Sequence, residues 1–225
     1  MEIKLVVFDL AGTTVNDDDS VNRCVRAALE QAGLRVTAEA VNQVMGIPKP
    51  LAIRHLLAGT PLLDQADAIY ADFVDRSIRF YREDPSVFEV PGALEVFRAL
   101  DRSGIKVALN TGFNRAITDV ILDRLGWARE SSIHSTISSD EVARGRPHPD
   151  MIHELMRRLD VSPAAAVAKV GDTPADLEEG SNAGCGMNVG VTQGTHTREE
   201  LERCPHTHLV ETIRAVPGLL GVAAP

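Results

Sequence analysis

The stretch Val6-Val7-Phe8-Asp9-Leu10-Ala11-Gly12-Thr13-Thr14-Val15 places a carboxylate at the end of an apolar run, with a glycine and two hydroxyls just beyond it. A carboxylate at the end of a buried strand suits a nucleophile, a ligand for a hard cation, or both. Gly12 lets the backbone come close to a ligand, and the N–H groups and hydroxyls beside it, Thr13 included, suit an oxyanion. On this stretch alone a plainer reading stays open, in which Asp9 caps a helix and Gly12 makes a turn. Two further apolar runs end in a similar way. Residues 105–109 lead into Asn110-Thr111-Gly112, and residues 166–170 into Gly171-Asp172-Thr173, with Asp176 one turn on. In an open α/β sheet the carboxyl ends of the strands face one crevice, so Asp9, Thr111 and Asp172 are expected to converge there. Asp9, Asp172 and a main-chain carbonyl can hold Mg2+, which takes oxygen ligands and keeps several waters. Thr111 and Gly112 offer a hydroxyl and an N–H to an oxyanion. Gly145-Arg146-Pro147 adds a guanidinium able to bridge a carboxylate and a phosphoryl oxygen.

The elements that must position these groups follow from periodicity. Val21, Cys24, Val25, Ala28 and Leu29 recur at helical spacing, and Gly33 stops that helix. The acidic turn Asp17-Asp18-Asp19 before it reads as solvated, with Ser20 as N-cap. Thr37 caps a second helix ending near Gly46, and helices are expected over 50–58 and 66–81. No strand signal occurs between Asp17 and Ser86. From Val87 strands and helices alternate: helices from Pro91-Gly92 to Leu100 and over 115–125, 149–159, 174–183 and 199–203, strands over 105–109, 135–138, 166–170, 187–191 and 208–210. Such alternation means right-handed βαβ units. The expected architecture is α/β: a doubly wound, Rossmann-like parallel sheet core with an inserted helical cap domain. Residues 1–16 and 87–225 form the core and 17–86 the cap. The small apolar tail, 218–225, is expected to fray.

The chain has 225 residues, enough for a core domain with one insertion, and a net charge of −9 argues against a nucleic-acid or membrane-surface binder. Cys24, Cys185 and Cys204 have no paired spacing, which fits a reducing compartment and no zinc site. No secretory signal or membrane span is read, so the expected location is cytoplasmic. The expected partner is a small anionic phosphate or phosphonate. The helix over 21–32 could supply a homodimer face through the cap.

Asp-x-x-Gly-Thr after the first strand, a strand-end Thr-Gly, a basic residue before a proline, and Gly-Asp-Thr-x-x-Asp resemble, in order, the four motifs of the haloacid dehalogenase superfamily. The resemblance implies that Asp9 is the nucleophile, forms an aspartyl-phosphate and binds Mg2+ together with Asp172 and the Ala11 carbonyl, with Thr173 and Asp176 behind them. Most phosphatases of the superfamily carry a second Asp two residues after the nucleophile; here Ala11 stands there, and the usual lysine is Arg146. Both departures, with the segments 9–15, 145–149 and Met45-Gly46-Ile47-Pro48-Lys49, resemble the phosphonoacetaldehyde hydrolase (phosphonatase) subgroup. That resemblance makes Lys49 a Schiff-base lysine and Met45 a pocket residue.

The two departures fit one chemistry. A phosphate ester loses an alkoxide, which needs an acid. An oxo-phosphonate must lose a carbanion, and an iminium formed by a lysine is the electron sink that permits it. The implied reaction is Mg2+-dependent hydrolysis of a carbon–phosphorus bond, with Asp9, Lys49 and Arg146 catalytic and Gly12, Thr13, Met45, Thr111, Gly112 and Arg146 on the substrate. Leu10, Asp17-Asp18-Asp19 and Ala52 depart from the subgroup's pattern. At Ala52 the subgroup has a histidine, for which His55, three residues on, is a substitute by helical geometry. Two other functions stay open: a phosphate monoester phosphatase, and a catalytically weak binding module on the same fold. Read without the resemblance, Lys49 is a solvated surface charge.

Overall fold

A computed structural model of the chain describes residues 2–223. Strand β1 (Leu5–Asp9) is followed by four helices, α1 (Ser20–Gln31), α2 (Ala38–Asn42), α3 (Lys49–Leu57) and α4 (Ala66–Glu83). The alternating part then runs α5 (Ala93–Arg102), β2 (Lys106–Thr111), α6 (Arg115–Arg124), β3 (Ser135–Ser138), α7 (Asp150–Arg158), β4 (Val167–Gly171), α8 (Pro174–Ala183), β5 (Met187–Val191), α9 (Arg198–Leu201), β6 (His208–Val210) and α10 (Val216–Leu219). All pairings in the sheet are parallel, in the order β3-β2-β1-β4-β5-β6. This is the doubly wound α/β sheet expected from the alternation. The winding reverses at β1, the place where such sheets bind ligands.

Alternate residues of each strand enter different layers. Val6, Phe8, Val107, Leu109, Ala168 and Val170 pack with α5, α6 and the α1–α4 helices, and Phe8 meets Phe97 at 5.3 Å between ring centroids. Leu5, Val7, Ala108 and Val167 pack on the other face with Met151, Ile152 and Leu155 of α7. In register, Asp9 lies opposite Asn110 and Phe8 opposite Val170, so the ends of β1, β2 and β4 stand side by side. Two isolated bridges, Ala11 with Val15 and Val15 with Glu89, tie the chain together where it leaves and re-enters the sheet.

Two local expectations are corrected. The α1 helix is not capped by Ser20. The Asp17 carboxylate reaches forward to accept from the Ser20 and Val21 N–H groups, at 2.7 and 3.2 Å, which draws Asp17 out of solvent while Asp18 and Asp19 stay exposed. The tail does not fray over 218–223: α10 forms, and Leu220 and Val222 pack against the core. Residues 224–225 lie outside the described residues. Cys24, Cys185 and Cys204 are free thiols, and no helix among the described residues is long and apolar enough to cross a membrane.

Candidate active site

Asp9, Asp172 and Asp176 present carboxylate oxygens that all lie within 4.8 Å of one another, and all three residues are buried. Burial raises the Asp172 pKa to about 7, and the neighbouring charges of Asp9 and Asp176 push the same way. Burial also raises that of Asp9, against the pull of Arg146. Asp172 is fastened on both oxygens: Thr13 Oγ1 donates to Oδ1 at 2.8 Å and the Thr195 N–H to Oδ2 at 2.8 Å. Asp176 is held by the Thr173 N–H and hydroxyl, at 3.2 and 2.6 Å, in the capping box that starts α8.

Arg146 is 1% exposed although it carries a permanent charge. Its Nη1 meets Asp9 Oδ1 at 2.7 Å and Asp176 Oδ1 at 2.9 Å. Burial opposes the charge, but Asp176, Asp9 and Glu179 outweigh it and hold the guanidinium protonated.

Lys49, at the first turn of α3, is 4% exposed, which overturns the solvated reading. Its Nζ donates to the Ile47 carbonyl at 3.4 Å and lies 5.6 Å from the Phe113 ring centroid. Burial lowers its pKa from 10.5 to about 8, with Arg146 adding to the effect and Asp9 and Asp17 opposing it. Lys49, Met45, Asp9, Ala11, Thr111, Gly112, Arg146 and Thr173 line one cavity of about 20 Å³. The α1–α4 insertion reaches it through the segment 45–49, whose packing on the sheet is close: a Cβ on Gly112 would stand 2.8 Å from the Ile47 carbonyl oxygen, and one on Gly46, at φ +81°, would collide with Thr173.

In the loop after β1 the turn at Gly12 uses several of its own N–H groups internally. The Gly12 N–H donates to the Val15 carbonyl at 2.9 Å, and those of Thr13 and Thr14 to the Leu10 carbonyl at 3.2 and 2.8 Å. The Thr13 hydroxyl is committed to Asp172. Gly12 serves a different close approach, because a Cβ there would collide with the Asp172 carboxylate. His55 faces solvent on α3, so it does not replace the histidine absent at Ala52, which is buried. Arg115 is tied to Glu141 and Asp119 at the surface. Among the histidines, His148 and His206 are exposed and His196 is packed.

Sequence reasoning missed three buried polar residues. Lys169 Nζ meets Asn110 Oδ1 at 2.7 Å and Asp176 Oδ1 at 2.8 Å. Glu179 Oε2 accepts from Arg146 Nε at 3.0 Å. The signal was present: a lysine inside the apolar run of a central parallel strand has no solvated face to occupy.

Carboxylates at the ends of β1 and β4, with a buried arginine between them, stand at the crevice where a doubly wound α/β enzyme binds its ligand. The family model for haloacid dehalogenase-like hydrolases matches residues 3–184, and the chain belongs to that family of hydrolases. It is similar to the phosphonoacetaldehyde hydrolase of Bacillus cereus, 30% identical over 96% of this chain and 87% of that protein, which places it in the phosphonoacetaldehyde hydrolase-like group. Among solved structures it is similar in fold to a phosphonoacetaldehyde hydrolase like protein from Oleispira antarctica (TM-score 0.86, 23% identity, covering 98% of this chain and 92% of that one). It is also similar in fold to a hydrolase from Pseudomonas syringae (TM-score 0.86, 20% identity, covering 98% of this chain and 99% of that one).

Proposed function

We propose that this hydrolase cleaves the carbon–phosphorus bond of a small oxo-phosphonate, phosphonoacetaldehyde or an analogue, with α1–α4 acting as a cap. One observation carries the reading: a buried amine of lowered pKa, Lys49, shares a cavity with the Asp9 carboxylate, and Ala11 stands where a second carboxylate would supply an acid. The buried carboxylates fit a hard divalent cation, because burial and then the Asp9 and Asp176 charges raise the Asp172 pKa to about 7, and a cation offsets both. Asp9, Asp172 and the Ala11 carbonyl would hold Mg2+, while Asp176 is taken up by Arg146 and Lys169. When bound, the ion neutralises charge on the phosphoryl group and lets an anionic substrate approach an anionic nucleophile.

Lys49, as the neutral amine, attacks the carbonyl carbon; water leaves and an iminium forms. Asp9 attacks phosphorus from the sheet side. The carbon–phosphorus bond breaks and its electron pair passes into the iminium, giving an enamine and an aspartyl-phosphate. Arg146, beside Asp9, offsets charge on the transferring group, and Thr111 and Gly112 hold its oxygens. Water hydrolyses the aspartyl-phosphate; the enamine takes a proton on carbon, and hydrolysis of the imine frees the aldehyde and Lys49.

The test is reduction with borohydride during turnover of phosphonoacetaldehyde. The expected result is inactivation, with the reduced two-carbon adduct on Lys49 by mass spectrometry. Phosphate release from monoesters that survives Lys49→Ala, with no adduct, would make the protein a phosphatase instead.

A further inference from the structure

The residues that surround Arg146 on the side away from Asp9 form a set of their own. Glu179 Oε2 accepts from Nε at 3.0 Å, and the Asn110 carbonyl and Oδ1 accept from Nη2 at 3.0 and 2.6 Å. These acceptors hold the guanidinium on two edges, which leaves Nη1 for Asp9 and Asp176. The holders are themselves held. Asn110 Nδ2 donates to both Glu179 oxygens, at 3.0 and 2.9 Å, and Lys169 Nζ bonds Asn110 Oδ1 at 2.7 Å and stands 3.5 Å from Glu179 Oε2. Asn110, Lys169 and Glu179 are fully buried and come from β2, β4 and α8. Cβ atoms would collide at Gly180, against the Asn188 side chain, and at Gly171, against Asp176, so α8 packs on the sheet too closely for this set to slide.

We propose that Glu179 and Asn110, locked by Lys169, form a preformed cradle for a planar guanidinium, and that they are positioning residues which aim Arg146 at Asp9. The proposal rests on the reading that Asp9 attacks phosphorus. A flat fork with five donors can meet Glu179, Asn110, Asp9 and Asp176 together, whereas a lysine ammonium has three donors on one atom and cannot reach both edges. The cradle is therefore the reason that arginine, rather than lysine, stands at 146. Lys169 Nζ lies 2.8 Å from Asp176 Oδ1 and 3.5 Å from Glu179 Oε2, so one amine ties the cradle to the carboxylate on the Asp9 side of Arg146.

Chemical rescue tests the cradle. Arg146→Ala leaves the acceptors in place around an empty fork. Its kcat on phosphonoacetaldehyde, and on p-nitrophenyl phosphate, should fall by about a hundredfold or more, and guanidinium well below denaturing concentration should restore it about tenfold, with ammonium inert. In Arg146→Ala combined with Glu179→Ala the restoration should vanish. Glu179→Gln in the otherwise unchanged protein keeps the shape should the alanine variant fail to fold; it should lower kcat with little change in KM. Equal rescue with and without Glu179, rescue by ammonium as well, or no rescue at all would overturn the cradle. Failure of the carbon–phosphorus reading shows separately, as unmodified protein that turns over the ester and not phosphonoacetaldehyde, and the rescue is then read on the ester.

Discussion

Lys49 carries the sharpest consequences at the scale of a residue. Its pKa of about 8, against 10.5 in the unfolded chain, means that the native state binds this proton less tightly than the unfolded state does. The contribution of Lys49 to stability is therefore lowest below pH 8 and rises between about pH 8 and 10.5. Catalysis needs the neutral amine, so kcat/KM for an oxo-phosphonate should rise with pH and level off above about 8, as an initial-rate profile would show. Lys49→Met removes a buried charge that Asp9 does not need, since Arg146 already pairs with it. The variant should lose oxo-phosphonate turnover yet gain about 1–3 kcal/mol, read as a Tm higher by about 2–4 °C per kcal/mol. A melting temperature that falls instead would mean that Lys49 contributes to the fold and is not a strained functional group.

Among the elements, the 45–49 segment is the one that joins the helical insertion to the sheet. Gly112 is one point at which it touches: an added methyl would press on the Ile47 carbonyl, a backbone atom that cannot swing aside. Gly112→Ala should fold normally by circular dichroism and lose about ten- to a hundredfold in kcat, because Lys49 is displaced from Asp9 by a fraction of its approach. Unchanged kinetics would show that this contact is not made during turnover. The elements themselves were legible because their signals are local. Pro174 at the first turn and Gly184 at φ +74° bound α8 where the sequence places it. The three strand-end motifs follow from apolar runs that stop at polar residues. What stayed hidden depends on pairing across the sheet. Nothing near Glu179 in sequence says that it faces Arg146; that requires α8 to lie against β4 and the 146 loop to cross over both. The loop at Gly12 misled for the opposite reason. Its residue types suit an anion, but the turn they make uses the N–H groups of Gly12, Thr13 and Thr14 internally.

Over the whole molecule, buried charge is concentrated at one place. Asp9, Asp172, Asp176 and Glu179 gather at the centre of a chain whose net charge is already −9. Folding raises the Asp172 pKa to about 7, so without a metal its contribution to stability is lost as pH climbs from about 4 to 7. Mg2+ should return it: at a hundred times its Kd a ligand adds about 2.7 kcal/mol. The Tm gained on adding Mg2+ should be larger at pH 8 than at pH 6, where the ion must displace a proton, and Asp172→Asn should abolish it in a thermal melt. The reaction cavity, about 20 Å³, has room for roughly one water. The proposed reaction therefore requires the α1–α4 insertion to draw back for substrate to enter.

Strand β1 sits in the middle of the sheet, with Leu5 paired to Lys106 on one side and Val167 on the other, yet it precedes both partners in sequence. During synthesis the ribosome releases this apolar ribbon long before either neighbour exists. The helices of residues 20–83 emerge next and can consolidate on one another through local contacts, while β1 waits as an uncovered edge open to aggregation. Pairing of β1 thus waits until β2, nearly a hundred residues further along, has been made. Asp9, at the end of β1, is therefore made well before the neighbouring strands β2 and β4 that complete its surroundings.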